Sequence, residues 1–155
     1  MQFRVQNLTV HKFGGASVKD AYAVRNVESI LQNCLVSPAV VVVSAMGKTT
    51  NKLEQVFSTL VSDGFDKALE ELNEIVVAHQ KVIDTLSIEL DLRKLFVTAL
   101  KNSSELDDLD AAYDELVASG EDASTKILFA YLSSNSWDVE WRDVRDIIET
   151  DERHN

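Results

Sequence analysis

The sequence predicts an α/β fold built on a parallel sheet, and three features lead to this prediction. Residues 8–13 alternate apolar and polar side chains and run into Gly14 and Gly15, which is typical of a strand that ends in a turn. Residues 39–43 are one alanine and four valines, so this second strand is apolar on both faces, as a parallel strand between two layers of helices requires. Helical apolar spacing follows each strand, and such a succession usually forms a right-handed strand–helix–strand crossover.

Helix-start residues and apolar spacing predict the helix after each strand. Asp20 is expected to cap the first helix. Its inward side chains, spaced by three and four residues, are expected to be Ala23, Val24, Val27, Ile30 and Leu31. Thr49, Thr50 and Asn51 offer capping oxygens for the second helix. Its inward stripe is expected to consist of Leu53, Val56, Phe57, Leu60 and Val61.

Residues 65–135 keep helical apolar spacing almost throughout and are predicted to form a large helical insert in the α/β fold. Three inward stripes are expected, over residues 69–86, 92–100 and 106–117.

The end of the chain is predicted to return to the sheet. Gly120 is expected to end the third helix of the insert, and a further helix is expected over residues 124–132. Residues 137–141 alternate again and predict a last strand. No linker divides the chain, so we expect one unit whose α/β portion comprises residues 1–64 and 136–155.

Composition excludes two classes of partner. The 155 residues include 15 Lys plus Arg and 26 Asp plus Glu, a net charge of −11. This balance argues against nucleic acid and against an anionic membrane surface, because both require clustered basic side chains. The longest apolar run, residues 39–43, is too short to span a bilayer, and the N-terminus lacks the order of a signal peptide. We therefore expect a cytoplasmic protein.

The chemistry is expected in the two loops that follow the strands. Ligands of open α/β sheets bind at the carboxyl ends of the strands, beside helix N-termini, and these loops are residues 12–17 and 44–50. Both loops contain glycine, which lets backbone N–H groups approach an anion closely. Lys12 ends its strand, so its ammonium group can lie at a phosphate site.

The second loop is not the phosphate loop of P-loop nucleotidases. Gly47, Lys48 and Thr49 match the last three positions of that motif, but the motif requires a glycine five residues before Gly47. The residue there is Val42, inside the predicted strand.

Four segments in order carry a resemblance to a known family. They are Lys12 to Val18, Val40 to Asn51, the pair Gly120-Glu121, and Asp143 to Arg145. The chain resembles the N-terminal part of the catalytic domain of aspartate kinases, members of the amino-acid kinase superfamily. The resemblance implies a parallel-sheet, three-layer amino-acid kinase fold, truncated in this chain and enlarged by the helical insert.

The resemblance also implies roles for individual residues. Lys12 helps to bind ATP and offsets charge on the transferring phosphoryl group, which makes it the expected catalytic residue. The nucleotide-binding loop comprises Lys12, Phe13, Gly14, Gly15 and Ser17. Ser44 and Thr50 correspond to hydroxyl groups near L-aspartate, and Glu121 corresponds to the carboxylate that receives its ammonium group. Ala16 departs from the family, which usually has threonine there.

The implied activity is transfer of the γ-phosphate of ATP to L-aspartate, giving 4-phospho-L-aspartate, the first step of lysine, threonine and methionine biosynthesis. Mg²⁺ is expected on the nucleotide, with no metal site on the protein. The parent enzyme is expected to be a homo-oligomer through further domains. Family members complete the site with a later segment containing an arginine and an aspartate, so the isolated chain is expected to be inactive. Two alternatives remain open: another amino-acid kinase, of the glutamate or acetylglutamate type, or a non-catalytic interaction fragment.

Overall fold

The computed structural model describes residues 8–35 and 38–148. Two strands, β1 (Thr9–Phe13) and β2 (Ala39–Val43), form a parallel sheet in which Thr9 pairs with Ala39 and Phe13 with Val43. Both predicted strands are confirmed, and because they are parallel and in register, both loops leave the same edge of the sheet. The predicted sheet portion also includes residues 1–7 and 149–155, which lie outside the described residues.

A short 3₁₀ turn, Gly15–Val18, leads from β1 to helix α1 (Ala21–Cys34). The predicted cap is confirmed, since the Asp20 carboxylate accepts a hydrogen bond of 2.8 Å from the Ala23 amide. Of the five predicted inward side chains, four are buried. Ile30 is instead 37% exposed, because it lies at the margin of the stripe that faces the core.

Helix α2 (Thr49–Asp63) follows β2 without the predicted side-chain cap. Its first residue, Thr49, uses its hydroxyl to donate to the Met46 carbonyl oxygen at 2.7 Å, so the hydroxyl closes the preceding turn and caps no amide. Leu53 and Val56 are buried as predicted. Val61 was predicted to face inward but is 57% exposed, because five residues of helix turn it away from the side of α2 on which Val56 is buried.

Four helices make up the helical segment: α3 (Phe65–Leu86), α4 (Arg93–Glu105), α5 (Leu109–Val117) and α6 (Ser119–Ser134). The first two predicted stripes are confirmed by the buried residues Leu72, Ile75, His79, Ile83, Leu86, Phe96 and Leu100. The third is confirmed at Leu116, whereas Leu106 and Leu109 are exposed because they flank the start of a short helix. Among the described residues, no helix has both the length and the apolarity that a membrane crossing needs.

Gly120 was predicted to end α5, but it lies in the first turn of α6. A Cβ atom there would lie 3.1 Å from both Ala45 Cβ and Leu53 Cδ1. The glycine therefore permits α6 to approach the loop after β2. It is present because of this close packing and does not mark the end of a helix.

The predicted last strand at residues 137–141 is not formed: the sheet of the described residues has two strands. Side chains hold this segment instead, since the indole N–H of Trp137 donates to Glu28 at 3.1 Å and that of Trp141 to Thr125 at 3.0 Å. A cavity of about 400 Å³ is lined by β2, α6 and residues 138–142. The alternating pattern therefore reflects two half-buried tryptophans, which require no strand partner.

The helices cover one face of the sheet. Phe13 and Val43 are buried on that face, whereas Val10, Val40 and Val42 are between 44% and 61% exposed on the other. A second covering layer, which the four valines of residues 39–43 predicted, is not supplied by the described part of the chain.

Candidate functional site

The first loop presents a lysine and unused backbone donors at the end of β1. A Cβ atom on Gly14 would lie 3.6 Å from Lys12 Nζ, so the ammonium group sits over this glycine. The amides of Gly14, Gly15 and Ala16 donate no hydrogen bond to another described residue, whereas Ser17 N donates to Gly14 O at 2.8 Å. Three free N–H groups beside an ammonium group can bind an anion such as a phosphate.

Gly15 joins the two loops. A Cβ atom there would overlap the carbonyl oxygen of Ala45 and lie 3.0 Å from that of Gly47, so no larger residue fits without a backbone shift. The Gly15 carbonyl oxygen accepts from Gly47 N at 2.9 Å. Phe13 contributes its backbone, since its side chain is buried and its carbonyl oxygen accepts from Ser44 N at 3.0 Å.

The second loop differs from the first because the amides of its first four residues are already used. The four consecutive N–H groups of residues 44–47 donate to Phe13 O (3.0 Å), Glu121 Oε1 (3.2 Å), Ser124 Oγ (2.7 Å) and Gly15 O (2.9 Å). We predicted that both loops offer backbone donors to an anion. The structure removes that property from residues 44–47, whereas the amides of Lys48 and Thr50, like those of the first loop, donate to no described residue.

The second loop instead offers side chains. Ser44 directly follows β2 and Thr50 lies in the first turn of α2. Both are half-buried, and neither hydroxyl forms a hydrogen bond with another described residue. Glu121 reaches the loop from the first turn of α6, where Oε1 accepts from Ala45 N. Its Oε2 atom makes no hydrogen bond within the described chain. The loop therefore carries two hydroxyl groups, and a carboxylate from α6 reaches its backbone.

Ser124 is a site residue that the sequence did not reveal, because it was expected only to begin a helix. It is 1% exposed, accepts from Met46 N at 2.7 Å and donates to Gly120 O at 3.0 Å. The available signal was the pair Gly120 and Ser124, two small residues one helical turn apart, which permits close approach of another segment.

The Asp143–Arg145 segment contacts α6 at Asp122, the residue after Glu121. The Arg145 guanidinium donates to both carboxylate oxygens of Asp143, at 2.9 and 2.6 Å, and to Asp122 at 2.7 Å. These hydrogen bonds hold the pKa of Asp143 at about 2, below its ordinary value of 3.8. The segment therefore restrains the start of α6.

The fold and these loops can be compared with known proteins. The model of the amino acid kinase family matches residues 7–155. Aspartokinase 2, chloroplastic, of Arabidopsis thaliana is 36% identical over 132 residues, covering 80% of this chain and 24% of that protein. The aspartokinase of Chlamydia pneumoniae is 28% identical over 145 residues, covering 94% of this chain and 32% of that protein.

The crystal structure of E. coli aspartokinase III in complex with aspartate and ADP matches with a TM-score of 0.78 at 27% identity. The match covers 95% of this chain and 33% of that one, so the chain spans between a quarter and a third of the length of these relatives. The resemblance to aspartate kinases and the truncated kinase-like fold are thereby confirmed. Since the family model covers nearly all of its residues, the chain belongs to the amino acid kinase family.

Proposed function

We propose that this chain supplies the first part of the active site of an aspartate kinase, which phosphorylates the side-chain carboxylate of L-aspartate with ATP. One observation carries the proposal: two adjacent loops have opposite hydrogen-bonding states. Within the described chain, the first has free amides beside Lys12, whereas the second has bonded amides at residues 44–47 and free hydroxyl groups beside Glu121. A phosphate fits the first set of groups, and a small amino acid fits the second. A relative of the same fold is known in complex with aspartate and ADP.

The first loop is proposed to bind the nucleotide phosphates. Lys12 would supply positive charge, and Gly14 and Gly15 their amides. Ser17, whose hydroxyl bonds to no other described residue, would supply a further donor. Mg²⁺, when bound, would neutralise part of the phosphate charge. We propose that it arrives with the nucleotide, because no group of three or more His, Cys, Asp or Glu side chains in the described chain could hold a metal ion.

The second loop is proposed to bind L-aspartate. Glu121 Oε2 would accept from the substrate ammonium group, while Ser44 and Thr50 would donate to a carboxylate. The acceptor carboxylate is ionised at neutral pH, so it needs no general base. Its oxygen forms the new bond to the γ-phosphorus as the bond to the ADP oxygen breaks. Positioning of two anions and charge compensation by Lys12 are therefore the contributions of this chain to catalysis.

The remainder of the site is proposed to lie in parts of the enzyme that this sequence does not include. The chain is about a third of the length of aspartokinase III. We therefore expect the isolated chain to bind substrates weakly and to be inactive. The complete enzyme is proposed to be a homo-oligomer. Its sheet portion is proposed to include residues 1–64 and 136–155, although residues 137–141 have no partner strand in the described chain. Residues 65–135 are proposed to be a helical segment.

Isothermal titration of the 155-residue chain tests the proposal, first with magnesium ADP and then with L-aspartate. Lys12→Ala should abolish nucleotide binding, whereas Lys81→Ala, which removes an exposed lysine on α3, should leave it unchanged. Glu121→Ala should weaken aspartate binding by about 2 kcal/mol, with exposed Glu89→Ala as the control. Absence of binding of either ligand to the folded chain would contradict the proposal. Tighter binding of L-glutamate or N-acetylglutamate would favour the related kinases.

A further inference from the structure

The second loop is held in place from outside by the start of α6. Glu121 and Ser124 accept from two consecutive loop amides, those of Ala45 and Met46, at 3.2 and 2.7 Å. These two acceptors are three residues apart on one face of α6, so one helix end holds the middle of the loop, between the two amides that bond to the first loop and to the end of β1.

Gly120 permits this contact. A side chain there would press on Ala45, Leu53 and Thr49, at distances of 3.1 to 3.3 Å. Because α6 can approach so closely, the Ser124 hydroxyl reaches Met46 N while it also donates to its own helix at Gly120 O.

Ser124 is placed to control the loop without touching a substrate. It is 1% exposed and Met46 is 5% exposed, so a Met46 amide that loses this acceptor is a buried donor without a partner, which is costly. Ser44 lies two residues before Met46, and Thr50, in the first turn of α2, lies four residues after it. A displaced Met46 would therefore move both proposed substrate-binding hydroxyl groups.

We propose that Ser124 is a positioning residue for the amino-acid substrate: its hydroxyl fixes Met46 and thereby the spacing of Ser44, Thr50 and Glu121. This inference rests on the proposed function. The bond also occupies an amide that would otherwise be open to an anion. Ser124 therefore removes one amide of the second loop from anion binding.

Amide hydrogen exchange of the ligand-free chain tests the structural half. In Ser124→Ala, exchange at Met46 should accelerate about tenfold or more relative to the wild-type chain. Ser134→Ala is the matched control, because its hydroxyl also donates to its own helix, to Tyr131 O at 2.8 Å, but accepts from no amide of the second loop. Ser124→Thr keeps the hydroxyl and should restore protection. Unchanged exchange at Met46 in Ser124→Ala would overturn the inference.

Titration tests the substrate half. Ser124→Ala should raise the Kd for L-aspartate about tenfold while the Kd for magnesium ADP stays within about twofold, and Ser124→Thr should recover aspartate binding. An equal rise in the Kd values of both ligands would show that Ser124 has only a structural role and would overturn the inference. If the wild-type chain binds no aspartate, the proposed function fails and the substrate half fails with it. The exchange measurement still decides whether Ser124 holds the loop.

Discussion

The imidazole Nδ1 atom of His79 lies 2.8 Å from the carbonyl oxygen of Ile75, one turn earlier on α3. A carbonyl oxygen only accepts, so the ring proton is on Nδ1 and Nε2 is an acceptor. Nε2 is buried and has no partner in the described chain, and the ring packs edge-on against Phe96. The contact places a neutral histidine in the core between α3 and α4.

Stability should depend on pH through His79. Burial lowers the pKa of His79 below its ordinary 6.5, and Lys52 lowers it further. Well above pH 6.5, His79 is neutral in both the folded and the unfolded chain, so it does not make the free energy of unfolding depend on pH. As pH falls below 6.5 the unfolded chain takes up the proton first, so the free energy of unfolding decreases until the folded-state pKa is passed. Urea unfolding at pH 7.5 and 5.5 should show this loss in the wild type and not in His79→Leu. An equal change in both proteins would refute the assignment.

The Arg145–Asp143 pair should be visible in the titration of a single carboxyl group. In the wild type the pKa of Asp143 is expected near 2, mainly because of its hydrogen bonds from Arg145. In Arg145→Ala it should return toward the ordinary value of 3.8. Carbon-detected NMR of the Asp143 carboxyl carbon measures both values. Arg142→Ala, which removes the exposed partner of Glu140, is the control and should not shift Asp143. A normal pKa in the wild type would exclude the pair in solution.

Gly120→Ala should destabilise the chain by about 1–3 kcal/mol, because the added methyl group meets three well-packed atoms at 3.1 to 3.3 Å. Gly14→Ala is the matched control. Its methyl group would meet only the flexible Lys12 Nζ at 3.6 Å, and Gly14 already has φ of −75°. We expect a change within about 0.5 kcal/mol there. Urea denaturation compares the two, and equal effects would argue against close packing at α6.

Glu28 should hold residues 135–137 against α1. Its carboxylate accepts from Tyr131 Oη at 2.8 Å, Asn135 Nδ2 at 2.9 Å and Trp137 Nε1 at 3.1 Å. Burial alone would raise the pKa of Glu28, but these hydrogen bonds outweigh it and lower the pKa. Glu28→Ala should cost about 1–3 kcal/mol and alter tryptophan fluorescence. Glu28→Gln, which keeps one acceptor oxygen, should cost less. An unchanged free energy of unfolding in Glu28→Ala would show that the segment is held by packing alone.

Local signals were sufficient for the strands and for most helices. Alternation ending at Gly14 placed β1, the valines of residues 39–43 placed β2, and Asp20 marked the start of α1. Each of these signals acts within a few residues of the structure that it specifies. The position of Lys12 at the end of β1, over Gly14, follows from the same local pattern.

Long-range contacts decided the rest. Gly120 has the sequence context of a helix end, but the approach of Ala45 and Leu53 makes it part of α6. Residues 137–141 have the pattern of a strand but no neighbouring strand in the described chain, and an alternating segment becomes a strand only when another backbone pairs with it.

The sequence by itself determined that a lysine and two glycines stand at the end of a strand, beside a second strand of the same direction. Only the tertiary structure decided which loop keeps its amides free. Those of the first loop remain unused, whereas Glu121 and Ser124, more than 70 residues away in the chain, occupy two amides of the second. The physical reason is that a hydrogen bond between segments so far apart depends on how α6 packs, which no local pattern encodes.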